Sequence, residues 1–157
     1  MKRRTALTLP LLPLLSPGGA WAHHGWSSFD HSRPLYLRGK AASVRWRNPH
    51  AELTLELIPA TALPADLPVR TLPPQTADVN TKALLTRVTL PARKDLRWEI
   101  ELAPLTRMQQ WQVPQIAPGT ELEVIGFTFA AEKGEAVLRA EYLFMGGRIY
   151  GMRSSPA

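Results

Sequence analysis

The sequence predicts a mainly β protein, a small barrel of antiparallel strands with one short helix between the third and fourth strands. Three observations predict this fold. Apolar and polar residues alternate in short runs, proline and glycine separate these runs, and one segment has apolar residues at helical spacing. The chain has no cysteine, so neither disulfides nor thiolate metal ligands contribute.

The first half of the predicted barrel consists of a long strand and a shorter partner. Residues 35–46 alternate loosely around Gly39, and a glycine inside a strand pattern is typical of a bulge or sharp bend. Asn48 and Pro49 then predict a turn, because proline cannot continue a central strand. Residues 51–57 alternate with leucines on one face, so we expect them to pair antiparallel with the first strand.

The second half provides the remaining strands and the helix. Strands are predicted at residues 96–102, 121–129 and 136–144, followed by a short last strand at 148–152. Before the fourth strand, Leu105, Met108 and Trp111 recur at the spacing of one helical face. This order of elements resembles the oligonucleotide/oligosaccharide-binding (OB) fold, a five-stranded barrel. A small sandwich or another open barrel can use the same elements.

A proline-rich stretch interrupts the pattern between the second and third strands. Residues 59–94 are rich in proline and small residues, so we expect a surface excursion that is irregular or mobile, with a short strand at 84–90. The predicted organisation is a signal peptide at 1–22, an N-terminal arm at 23–34 pinned by Trp26 and Phe29, and a single barrel-like domain at 35–157.

The first residues are typical of a secretory signal peptide. Residues 2–4 are basic, residues 6–15 are mostly apolar, and Ala20 and Ala22 provide the small side chains that a signal peptidase accepts. The apolar run is shorter than the roughly 20 residues that span a bilayer, so no membrane span is expected in the mature chain. We therefore expect a periplasmic or secreted protein.

Charge limits the classes of partner. The formal net charge of the whole chain is +6, and loss of residues 1–22 lowers it to +3, because three basic residues leave with the signal peptide. The remaining 135 residues (157 − 22) suit one domain. A mildly basic domain is not typical of nucleic-acid binding, so we expect a metal ion or an envelope component as the partner. The oligomeric state stays open.

Four segments carry a resemblance to a known family. They are His-His-Gly-Trp-Ser-Ser-Phe-Asp at residues 23–30, Val-Arg-Trp-Arg-Asn-Pro-His-Ala at 44–51, Leu-Ala-Pro-Leu-Thr-Arg-Met at 102–108 and Leu-Arg-Ala-Glu-Tyr-Leu at 138–143. In these segments the chain resembles a family of small exported bacterial proteins described only as a domain of unknown function. The resemblance implies a signal peptide, a compact β-rich body and an envelope location. It implies no established activity.

The histidines are the candidate metal ligands. Cleavage after Ala22 would make His23 the first residue, so that its imidazole and a free α-amine, with a pKa of roughly 7.7–8.0, can bind one ion together. Imidazoles of His24, His31 or His50 would complete a nitrogen-rich site, which favours divalent copper. Alternatively, the amine and His24 chelate copper through the intervening amide. Both versions require that no residue precedes His23.

Two structural alternatives stay open. His50 follows Asn48 and Pro49, so it can simply hydrogen-bond the turn. Arg45 and Arg47 flank Trp46 in the strand pattern, which predicts that the two arginines share a face. That face is either a binding surface for an anion or a sugar, or a solvated side of the strand.

Nothing in the sequence predicts catalysis. Glutamates recur at i, i+2 spacing opposite apolar residues, as expected for solvated strand faces, and no serine lies in a nucleophile-elbow context. We therefore expect a non-enzymatic binding module, with copper bound by His23, His24, His31 and His50. The alternative is an envelope ligand- or protein-interaction domain that uses the barrel face of Arg45, Trp46 and Arg47.

Overall fold

A computed structural model describes residues 25–157. The predicted signal peptide and the pair His23 and His24 lie outside the described residues, so these expectations stay predictions. The strands are β1 (Leu35–Arg45), β2 (Glu52–Leu57), β3 (Arg97–Glu101), β4 (Glu121–Phe127), β5 (Val137–Met145) and β6 (Arg148–Gly151). The α-helices are α1 (Thr81–Arg87) and α2 (Leu105–Gln110). Within residues 25–157, no helix is long and apolar enough to cross a membrane.

Five strands close into a barrel. β3, β2, β1, β4 and β5 are neighbours in that order, and each pairs antiparallel with the next. β5 then pairs parallel with β3, which joins the two ends of the sheet and removes its open edges. β6 pairs with the second half of β5. With α2 between β3 and β4, the mainly β, OB-like barrel predicted from the sequence is confirmed.

The irregularity in β1 lies three residues from its predicted position. The register against β2 shifts between Ala41 and Ser43, so the bulge falls at Ala42 and not at Gly39. Gly39 has a different role, because a Cβ atom at this position would lie 2.1 Å from the backbone oxygen of Glu56. The glycine therefore permits the backbones of β1 and β2 to approach closely.

Two apolar cores stabilise the fold. The first fills the barrel with side chains from all five barrel strands, and Met108 of α2 and Trp111, the residue after α2, also pack in it. The second core lies on another side of the sheet. There, buried leucines of the proline-rich stretch pack against aromatic and aliphatic side chains of β1, β4 and β5. The stretch is therefore part of the packed structure and covers one side of the barrel.

A helix replaces the short strand expected at residues 84–90. Asn80 is the N-cap of α1, and its side-chain oxygen accepts a hydrogen bond from the amide of Ala83 at 2.9 Å. Leu84, Leu85 and Val88 are all buried in the second core. A helix turns these three side chains to one side, whereas a strand would turn Leu84 and Leu85 to opposite faces. The strand prediction is wrong because burial on the barrel selects the helix.

Leu67→Ala tests the packing of the proline-rich stretch. Leu67 is 1% exposed, so the substitution should lower the free energy of unfolding by about 2–4 kcal/mol through lost burial and the cavity that remains. Val69 is 81% exposed, and Val69→Ala should change that free energy by less than about 0.5 kcal/mol. Urea unfolding of both variants measures the difference. Equal, small effects would show that the stretch does not unfold together with the barrel.

Candidate functional site around Trp26

Trp26 joins the N-terminal arm to the barrel. It begins a short 3-10 turn, Trp26–Ser28, and its ring centre lies 4.9 Å from the guanidinium carbon of Arg139 and 4.3 Å from that of Arg153. The electron-rich face of an indole ring attracts a guanidinium cation. One cation from β5 and one from the C-terminal tail therefore hold the same aromatic ring.

Both arginines are paired with buried glutamates. Nη1 of Arg139 lies 2.5 Å from Oε2 of Glu101, and these residues are partners in the β3–β5 pairing. Nε of Arg153 lies 3.0 and 2.8 Å from the two carboxylate oxygens of Glu141. We name this group the Trp26 cluster, and it comprises Trp26, His31, His50, Glu101, Arg139, Glu141 and Arg153.

His31 fixes the arm through both ring nitrogens. Its Nε2 lies 2.9 Å from the carbonyl oxygen of Trp26, which only accepts, so Nε2 carries the proton. Its Nδ1 lies 3.2 Å from Nη2 of Arg153, which only donates, so Nδ1 is the acceptor. Neither nitrogen keeps a lone pair for a metal ion.

His50 contacts the cluster from the loop between β1 and β2. Its Nε2 accepts a hydrogen bond from Nη2 of Arg139 at 3.2 Å. In the same loop, the side-chain oxygen of Asn48 accepts from the amide of Leu105, the first residue of α2, at 3.2 Å. His50 therefore hydrogen-bonds β5, and the loop is connected to both β5 and α2.

Arg107 adds a third cation beside the cluster. It lies on α2, and its Nη1 donates to the carbonyl oxygen of Met152 at 2.9 Å. Burial and, to a smaller extent, the charge of Arg139 lower the pKa of Arg107. Arg107 therefore adds a third guanidinium group close to that of Arg139.

Two of the four predicted metal ligands belong to the Trp26 cluster, and each contacts a different arginine. His31 and His50 each contact an arginine that lies against Trp26. His23 and His24 are beyond the part of the chain that the structure describes. Among residues 25–157, no three histidine, aspartate or glutamate side chains are grouped closely enough to hold a metal ion.

The predicted ligand face does not form one surface. β1 ends at Arg45, so the strand alternation does not reach Arg47, which is exposed in the loop. Arg45 forms an ion pair with Glu52 and lies 3.8 Å from Glu99. Trp46 is half-buried and packs against the barrel core. The expectation that the two arginines share a strand face is wrong, because the chain leaves the sheet between them.

The four segments that carry the resemblance meet at the Trp26 cluster. They provide Trp26, His50, Arg107, and Arg139 with Glu141. Residues 14–63 match DUF6152, a family of unknown function. The DUF6152 match includes the first two segments, and it confirms the predicted resemblance to a domain of unknown function. No curated protein and no solved structure matches the chain.

Sequence reasoning missed the arginines of the cluster. Arg139 and Glu141 interrupt a run of apolar residues at 137–144, and charges inside a buried strand are a signal that could have marked them. Arg153 has no such signal, because it lies in a polar tail and not inside an apolar run. Two expected contacts of the arm are observed: Trp26 contacts two arginines, and Phe29 is buried in the second core.

His31→Phe tests the fixation of the arm. Phenylalanine keeps an aromatic ring near Phe127 and removes both hydrogen bonds, so the free energy of unfolding should fall by about 1–3 kcal/mol. Hydrogen exchange at the Phe29 amide, which bonds the carbonyl of Trp26, should become faster. Ser28→Ala is the control, since that side chain is exposed and its loss should change stability by less than about 0.5 kcal/mol. Unchanged exchange in His31→Phe would contradict the assigned role.

The partly buried carboxyl group of Glu99 should make the stability of the protein depend on pH. Burial raises the pKa of Glu99, although Arg45 and the hydroxyl of Thr54 oppose the rise. The protonated form therefore favours folding, and this contribution is lost as the pH rises through the folded-state pKa. From about pH 4 to 7, Glu99→Gln should gain about 0.5 kcal/mol of stability relative to the wild type. Thermal unfolding across this pH range measures the change.

Glu121→Gln is the control of opposite sign. The hydrogen bond and charge of Arg38 lower the pKa of Glu121, so its carboxylate favours folding once it is ionised. This stability is lost as the pH falls through the folded-state pKa. Relative to the wild type, Glu121→Gln should therefore become less stable as the pH rises. The same sign for both variants would contradict the two assignments.

Proposed function

We propose that the protein is an exported, non-enzymatic binding module that holds a divalent copper ion at its mature N terminus. The ligands are the free α-amine and the imidazole of His23, with His24 beside them. Removal of residues 1–22 creates this site, because only then is the amine of His23 free. Nitrogen ligands of this kind bind divalent copper more tightly than the other common divalent metals of the first row.

The anchoring of Trp26 is the observation that supports this proposal most. Trp26 follows His23 by three residues, so the intervening chain extends at most about 11 Å. The two guanidinium groups hold the indole ring against the barrel. A ligand segment that begins beside a fixed anchor loses less conformational entropy when it binds an ion.

His31 and His50 support the arm in this proposal and do not bind the ion. One ring nitrogen of each histidine accepts a hydrogen bond from a guanidinium, so copper would have to displace an arginine from it. A metal ion inside the cluster would also face the charges of the three arginines. We therefore propose only His23 and His24 as copper ligands, and not the four histidines expected from the sequence.

A second candidate function is an envelope ligand- or protein-interaction domain in which the histidines are structural. The exposed Arg47 beside the half-buried Trp46 supports it, because the loop between strands one and two contributes to ligand binding in OB barrels. The ligand there would be an anion or a sugar. This candidate does not require a free amine at His23.

Copper titration distinguishes the two candidates. The form that begins at His23 should bind one ion per chain. Acetylation of the His23 α-amine should weaken binding by more than the roughly 10–100-fold effect of losing an outer-shell partner, because acetylation removes a first ligand. Lower pH should also weaken binding, because protons compete for the α-amine. Calorimetry and the visible absorption of the bound ion measure both effects.

His31→Gln and His50→Gln are matched controls, since glutamine can still accept a hydrogen bond from a guanidinium. Both variants should keep the copper affinity of the wild type. Unchanged binding by the acetylated form would contradict the terminal-amine site. A loss of binding in His50→Gln, with unaltered thermal unfolding, would restore the four-histidine set. If no form binds copper, the second candidate is favoured.

A further inference from the structure

An apolar groove lies where the end of β2, the start of β3 and the last residues of the proline-rich stretch meet. It has a volume of about 210 Å³, and Leu57, Ile58, Leu90 and Leu96 line it. Ile58 is 38% exposed and Leu96 is 60% exposed. Two large aliphatic side chains therefore meet solvent at one place, and a contiguous apolar surface of this kind is typical of a binding groove.

The rim of the groove is cationic. Arg38, Arg93, Lys94 and Asp95 border it, so three cationic groups face one carboxylate. Arg38 forms an ion pair with Glu121, and Arg93 forms one with Asp95. Lys94 is exposed and, within the described part of the chain, forms no ion pair. Its ammonium group can therefore bind a carboxylate without breaking an existing pair.

We propose that this groove binds a medium-chain fatty acid, with the carboxylate at Lys94 and the acyl chain against Leu57, Ile58, Leu90 and Leu96. The apolar lining and the cationic rim complement an amphipathic anion. The volume is below the roughly 300–1,000 Å³ of sites for drug-sized molecules, which suits a single short acyl chain. The groove shares no lining residue with the Trp26 cluster, and the proposal does not depend on copper binding.

Titration with a series of ligands tests the binding of the acyl chain and the binding of the carboxylate separately. Affinity should rise from butyrate to hexanoate to octanoate by up to about fourfold for each methylene that the groove buries. Octanol has the same chain length and no carboxylate, so it should bind about tenfold more weakly than octanoate. Added salt should weaken octanoate binding and leave octanol binding unchanged. Calorimetry on the full chain measures these affinities.

Two substitutions separate the contribution of the charge from that of the apolar lining. Lys94→Glu should weaken octanoate binding by about tenfold and leave octanol binding unchanged. Leu96→Ser should weaken the binding of both ligands. Lys82→Glu and Val69→Ser are the controls, because the first makes the same charge reversal and the second the same kind of aliphatic-to-serine change at an exposed position outside the groove. Both should bind as the wild type does. Thermal unfolding checks that all four variants fold.

Equal affinity for butyrate and octanoate would overturn the proposal. So would the absence of octanoate binding, or undiminished binding in Leu96→Ser. Octanol that binds as tightly as octanoate would overturn the assignment of a carboxylate to Lys94.

Discussion

The pairing of β3 with β5 is the constraint on which the rest of the structure depends. It closes the barrel, and it places Glu101 opposite Arg139, where both side chains are nearly buried. A buried ion pair by itself stabilises a fold little, because desolvation of the two charges opposes their attraction. The importance of this pair lies in what Arg139 then contacts. Its guanidinium holds the ring of Trp26 and the imidazole of His50.

A bulge in the neighbouring pairing completes the cluster. The register between β4 and β5 shifts so that Ile125 lies opposite Tyr142 and Gly126 lies opposite Ala140, which leaves Glu141 as the extra residue. A bulge redirects the side chains around it. Glu141 is fully buried and binds Arg153 of the tail, which lies against Trp26 as Arg139 does. The arm is therefore held by Arg139 of β5 itself and by Arg153 of the tail, which is bound to Glu141 of β5.

The two proposed binding regions use different chemistry and different parts of the chain. The N-terminal site relies on nitrogen ligands, and the Trp26 cluster serves only to support the arm. The groove relies on apolar contact and one ammonium group. It exists because the proline-rich stretch packs against the barrel through its own core and then returns to β3. A stretch with little regular structure thus forms one wall of a candidate site.

The sequence by itself determined the strands, α2 and the OB-like order of elements, because alternation and turn residues act over a few neighbouring positions. It also excluded thiolate chemistry through the absence of cysteine. Local patterns failed at residues 84–90 and at Arg47, where burial against the barrel and the end of a strand decide the conformation. Only the tertiary structure decided what His31 and His50 contact. His31 and Arg153 are 122 residues apart in the chain, and His50 and Arg139 are 89 apart. Contacts over such separations depend on how β3 and β5 align, and no local pattern specifies that register.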